Sequence, residues 1–112
     1  MMDAKQMWTY DEDPGAIVGY TVEATDGEIG KVDKHNAKPG QSFLIVDTGP
    51  WIFGRTVMLP AGVVDHIDSD AKVVHVTRSK DDIENAPEFV ENGEDDAGYR
   101  EDLGGFYTTF WL

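Results

Sequence analysis

The chain has 112 residues and carries 22 acidic against 9 basic side chains, for a formal charge of -13, with no cysteine. That length holds one modest hydrophobic core. The missing thiols exclude disulfides, thiolate metal sites and cysteine nucleophiles, and fit a cytoplasmic protein. No basic stretch followed by an apolar run opens the sequence, and no apolar run approaches the ~20 residues that span a bilayer, so neither signal peptide nor membrane insertion is expected.

The charge is unevenly placed. Residues 1–15 hold four acids against Lys5, residues 16–80 hold eight against seven bases, and residues 81–112 hold ten against Arg100 alone. A nearly balanced middle is therefore followed by an acidic end. Such an end repels phosphate, so direct nucleic-acid binding is disfavoured. The divisions expected are an N-terminal aromatic arm at 1–15 containing Met7, Trp8 and Tyr10, a folded domain at 16–90, and an acidic, extended linker with an aromatic C-terminal segment at 91–112.

Within the domain, Val18, Tyr20, Val22 and Ala24 alternate with Gly19, Thr21 and Glu23, which predicts a strand with the first set facing the core. Thr25-Asp-Gly-Glu28 predicts a tight hairpin built on the positive φ angles that Asp26-Gly27 tolerates. The return strand, Ile29 to Lys34, has apolar residues three apart at Ile29 and Val32, so a bulge near Gly30 is predicted to bury both.

Phe43 to Val46 is apolar on both faces and reads as a central strand covered on each side. Arg55 to Leu59 is expected to pair back onto it, with Pro60 ending the strand by removing a donor. Ile67 and Lys72 to Thr77 form a last hairpin around Asp68-Ser-Asp70. Ser79 with Asp82 suggests a capped short helix through Ile83 to Ala86, stopped at Pro87.

In this order the short signals resemble the PRC-barrel family: the Asp26-Gly27 turn, Ile29-Gly30-Lys31-Val32, Phe43 to Val46, Leu59-Pro60, Val64 to Ile67, and Val73 to Val76. The family is named for the cytoplasmic barrel of the photosynthetic reaction-centre H subunit, and the C-terminal domain of the ribosome-maturation factor RimM is a further member. The resemblance covers about Ile17 to Phe89. It implies an all-β fold, a small PRC-type β-barrel with one short C-terminal helix and flanking tails. It also implies docking onto other proteins, and it brings no catalytic residues.

The residues themselves point the same way. Asp65, Asp68 and Asp70 with His66 lack the ladder of a calcium loop and read as turn residues. His35, His66 and His75 are dispersed, without HxH or HxxxH spacing, so no zinc or catalytic histidine site is expected. Ser42, Ser69 and Ser79 lie in no nucleophile context, and Gly27 with Gly30 makes no phosphate loop. No catalytic, metal or cofactor site is expected, and the chain is read as not an enzyme.

The aromatic residues are the candidates for interaction. Trp51, Ile52 and Phe53 sit in a connection, where they either tuck over a barrel end or make a contact. Phe106, Tyr107, Phe110, Trp111 and Leu112 belong to an uncharged, β-prone end, read as a strand that adds to a sheet edge in the same chain or in a neighbouring copy. The expectation is a protein-interaction adaptor that forms homo-oligomers and binds a protein partner of unknown identity. The alternative is an accessory factor in RNA or ribosome metabolism acting through protein contacts.

Overall fold

In the computed structural model, the residues described are 7–10, 14–38, 40–49, 56–87, 89 and 93–109. Six strands form one sheet: β1 (Thr21–Ala24), β2 (Gly27–Asn36), β3 (Phe43–Asp47), β4 (Thr56–Pro60), β5 (Val64–Asp68) and β6 (Val73–Val76). Their order is β4-β3-β2-β1-β6-β5. The β1–β6 pair is parallel and the other four pairs are antiparallel. Two helices follow, α1 (Lys80–Asn85) and α2 (Ala97–Thr109).

The sheet is open, with β4 and β5 as its edges and no ladder between them among the described residues. Those edges nevertheless lie close at one end, because only the 3-10 turn Ala61–Val63 joins Pro60 to Val64. Four residue steps reach at most ~14 Å, whereas a flat six-stranded sheet would hold its edges roughly 24 Å apart. The sheet must therefore curl strongly.

The bends that permit this lie in β2. Toward β1, Val22 pairs with Gly30 and Glu23 with Glu28, leaving Ile29 as an extra residue. Toward β3, Val32 pairs with Val46 and Lys34 with Ile45, leaving Asp33 extra. Two bulges in one long strand sharpen its twist and turn it through a corner. As the apolar spacing predicted, Ile29 and Val32 are both buried. At Gly30 the backbone takes φ +152°, and a Cβ there would run into the Asp47 carbonyl. Only glycine fits that close approach.

Val22 and Ala24 face the core as expected, but Val18 does not. It sits in a turn before β1 and is exposed. The hairpin is also shifted by one residue: Ala24 pairs with Gly27, so Thr25 and Asp26 form the loop. Positive φ falls on Gly27 and on neither loop residue.

Phe43, Leu44, Ile45 and Val46 are all buried. Neighbouring residues on a strand point to opposite faces, so both faces of β3 are covered. The arm helps to cover it, because the Ser42 amide donates to the Trp8 carbonyl at 2.7 Å and the Tyr10 hydroxyl donates to the Phe43 carbonyl at 3.3 Å. Met7 and Trp8, expected in a separate arm, belong to the same buried cluster as the strands. Burying side chains of this size contributes ~1.5–3 kcal/mol each, which explains why the arm docks.

Helix α1 forms where the capping signal placed it. The Ser79 hydroxyl accepts from the Asp82 amide at 3.1 Å, and Ile83 is buried beneath. A second helix in place of the extended linker is the main departure from expectation. Among the described residues, no helix is long and apolar enough to cross a membrane.

Candidate functional site

The C-terminal aromatic residues were predicted to form a strand, yet Phe106 and Tyr107 lie in α2. Helical spacing explains this better than alternation. Tyr99, Leu103 and Tyr107 recur every fourth residue and share one face; Leu103 and Tyr107 are fully buried, and Tyr99 packs against the same core. Asp96 starts the helix, its carboxylate accepting from the Tyr99 amide at 3.2 Å. The Thr108 hydroxyl donates to the Gly104 carbonyl at 2.7 Å. The Asp96 cap and the four-residue spacing were the signals in the sequence that could have found this helix.

The acidic stretch before it is correspondingly structured at the described positions. Gly93–Asp95 makes a 3-10 turn, the Tyr99 hydroxyl donates to the Pro87 carbonyl at 3.2 Å, and the Phe89 and Tyr99 rings meet edge to face at 6.0 Å. Glu101 and Asp102 remain on the exposed side of α2.

Helix α2 is held from below by a buried cation. Arg78 donates through Nη2 to the Tyr107 carbonyl at 2.9 Å, and its guanidinium lies 5.9 Å from the centre of the Tyr107 ring. Burial pulls the guanidinium below its ordinary range, opposed by the Asp82 carboxylate. The Tyr107 hydroxyl is pushed well above the ordinary tyrosine range by burial, as is that of Tyr10. One turn earlier in α2, Gly104 contacts Trp8 so closely that a Cβ would lie 2.8 Å from the indole Nε1. The N-terminal and C-terminal segments thus interlock over the sheet. Tyr107, predicted to be an interaction residue, is committed to the chain's own core; Phe106 is half-buried against it. Phe110, Trp111 and Leu112, like Trp51, Ile52 and Phe53, lie outside the described residues.

The β2 corner leaves a cleft of about 480 Å³, lined by Glu28 to Lys31 and by Asp47 to Gly49. It exists because the bulged strand bends away where β3 ends. Its walls carry Glu28, Lys31 and Asp47, but the Asp47 carboxylate already accepts from the Gly49 amide at 2.9 Å, closing a turn. In sequence, Gly49 leads directly into the connection that bears Trp51, Ile52 and Phe53.

The remaining candidate polar residues are largely engaged in local structure. Asp68 accepts from the amides of Asp70 at 3.1 Å and Ala71 at 3.0 Å, forming the turn of the β5–β6 hairpin that ends at Lys72 with φ 58°. The Ser42 hydroxyl donates to the Lys38 carbonyl at 2.8 Å. Two of the histidines are brought together by the fold. Although dispersed in sequence, His66 and His75 are directly opposite in the β5–β6 register, and their rings stack with centres 4.3 Å apart. His35 stands apart beside Tyr10, the two rings edge to face at 6.5 Å.

Comparison with known proteins shows similarity at the level of fold. No protein-family model matches the chain, and no curated protein matches it. Among solved structures it is similar to a Pseudomonas aeruginosa protein described as a 16S ribosomal RNA processing protein, RimM, at 20% identity and a TM-score of 0.51. That similarity covers 62% of this chain and 45% of the other, so it spans less than half of that protein's length.

Proposed function

We propose that this chain is a PRC-type, non-enzymatic interaction domain that docks onto a protein partner and onto copies of itself. The observation that carries this reading is the cleft at the β2 corner. It is a concave surface framed by strand backbone, and its lining residue Gly49 is followed in sequence, two to four positions on, by Trp51, Ile52 and Phe53. Large aromatic side chains next to a concavity are the usual anchors of protein contacts. The fold likeness to RimM supports a PRC-type barrel without carrying that protein's role. Phe110, Trp111 and Leu112, which follow Thr109 in sequence, are the residues proposed for self-association.

Affinity capture from native lysate with the full chain, with Trp51→Ala and with a chain ending at Thr109 tests the proposal, alongside mass measurement in solution. Ending the chain at Thr109 keeps Leu103 and Tyr107 in the core, which an earlier truncation would remove. Loss of a specific partner with Trp51→Ala, and of self-association with the shortened chain, is expected. If both variants retain every captured protein and the same mass, the interaction reading fails.

The RimM-like fold favours one second reading, an accessory factor in RNA or ribosome metabolism acting through protein contacts. Co-sedimentation with a ribosomal fraction, lost with Trp51→Ala, would favour it. Absence from every such fraction would remove it.

A further inference from the structure

His66 and His75 are nine positions apart, and the antiparallel register of β5 and β6 sets them face to face. Their planes are within 18° of parallel. Each Nδ1 is turned toward a carboxylate. His66 Nδ1 lies 3.0 Å from Asp65 Oδ2, within hydrogen-bond distance, and His75 Nδ1 lies 3.6 Å from Glu23 Oε2, within ion-pair range. Glu23 reaches that position because the parallel β1–β6 ladder pairs it with His75.

A carboxylate beside Nδ1 favours the tautomer with its proton on that nitrogen, leaving the Nε2 lone pair as the free donor. Neither Nε2 has a protein partner among the described residues. The two side chains are 60% and 33% exposed, so the lone pairs can be reached from solvent. An imidazole oriented through Nδ1 by a carboxylate and open at Nε2 is the arrangement of metal-binding histidines.

We propose that His66 and His75 chelate a late first-row divalent cation such as Zn²⁺ through their Nε2 atoms. Asp65 and Glu23 orient the rings, and water completes the coordination. Two imidazoles on one zinc at about 2.1 Å place their ring centres roughly 5 Å apart, near the observed 4.3 Å, but each ring must turn out of the observed stack until both planes contain the metal. The near-parallel planes must splay, and histidine χ2 has a broad, soft torsional profile. Imidazole nitrogen selects zinc, copper and nickel over magnesium and calcium. Among the described residues, no group of three or more His, Cys, Asp or Glu side chains is gathered to hold a metal. Binding therefore rests on a two-point chelate, and losing either histidine weakens it sharply.

The test is calorimetric titration of the full chain with ZnCl₂ near pH 7.5, with the histidine ring signals followed by NMR. The expected result is saturable binding in which the His66 and His75 ring signals shift together while His35 stays fixed. His66→Asn and His75→Asn each weaken affinity roughly tenfold or more, Glu23→Gln weakens it by a smaller factor, and Mg²⁺ does not compete. Melting curves recorded in EDTA confirm that the variants remain folded. No saturable binding up to about 1 mM Zn²⁺, or an affinity unchanged in both single histidine variants, overturns the proposal.

Discussion

Arg78 and Tyr107 meet beneath α2, where the Arg78 guanidinium donates to the Tyr107 carbonyl at 2.9 Å. Both residues are buried. The contact ties the last turn of α2 to the segment that leaves β6, joining parts of the chain 29 residues apart. Replacing Arg78 with Met keeps the aliphatic packing but leaves the carbonyl without its charged donor. A charge-assisted bond in such a setting contributes ~1.5–3 kcal/mol. Urea unfolding of Arg78→Met is expected to show a loss of that order. A loss below ~0.5 kcal/mol would mean that Leu103 and Tyr107 dock the helix without it.

The hydroxyl of the same tyrosine is a liability. Tyr107 is fully buried, and its Oη has no hydrogen-bond partner among the described residues. An unsatisfied buried hydroxyl costs ~1–3 kcal/mol. Tyr107→Phe removes the hydroxyl and keeps the ring against Arg78, so thermal unfolding is expected to give an unchanged or higher midpoint. A drop comparable to that of Arg78→Met would show that the hydroxyl is engaged.

Alkaline stability follows from Tyr10 and Tyr107. Burial raises both hydroxyls above the ordinary value of 10.0. Below about pH 10 both are protonated in the folded and unfolded chain, and the full stability is present. Above it, the unfolded chain ionises first, and stability falls by up to ~1.4 kcal/mol per pH unit for each tyrosine until the folded groups ionise too. Urea midpoints between pH 9 and 11 should decline, and the double variant Tyr10→Phe, Tyr107→Phe should flatten the decline. An equal slope in the double variant would locate the alkaline sensitivity elsewhere.

The corner of β2 gives a steric prediction. Gly30 and Gly49 both have positive φ, but only Gly30 faces the Asp47 backbone, whereas a Cβ at Gly49 meets nothing within 4 Å. Gly49→Ala therefore incurs conformational strain alone, ~1–2 kcal/mol, while Gly30→Ala must also push two strands apart and is expected to cost ~3 kcal/mol or more. Parallel denaturation of the two variants checks the difference. Equal losses would mean that the β2–β3 contact yields freely.

The strands were largely readable along the chain because their signals are local. Phe43 to Val46 had to be covered on two faces, Pro60 had to end a strand, Ser79 and Asp82 had to open a helix, and Ile29 with Val32 required a bulge. Each rests on the conformational preferences of a few adjacent residues, which the fold leaves intact.

The terminal segments obeyed a different rule. Phe106 and Tyr107 fit an alternating pattern and a helical one equally well over a short stretch, and helix prevailed because it brings Leu103 and Tyr107 onto Arg78 and the core. Trp8 likewise finds its partners at Ser42 and Gly104, far along the chain, and Met7 is buried in the same cluster. The pairing of His66 with His75 depends on strand register, which no spacing between two histidines encodes. Local preference can be read residue by residue; contact between distant residues is a property of the closed surface that they bury together.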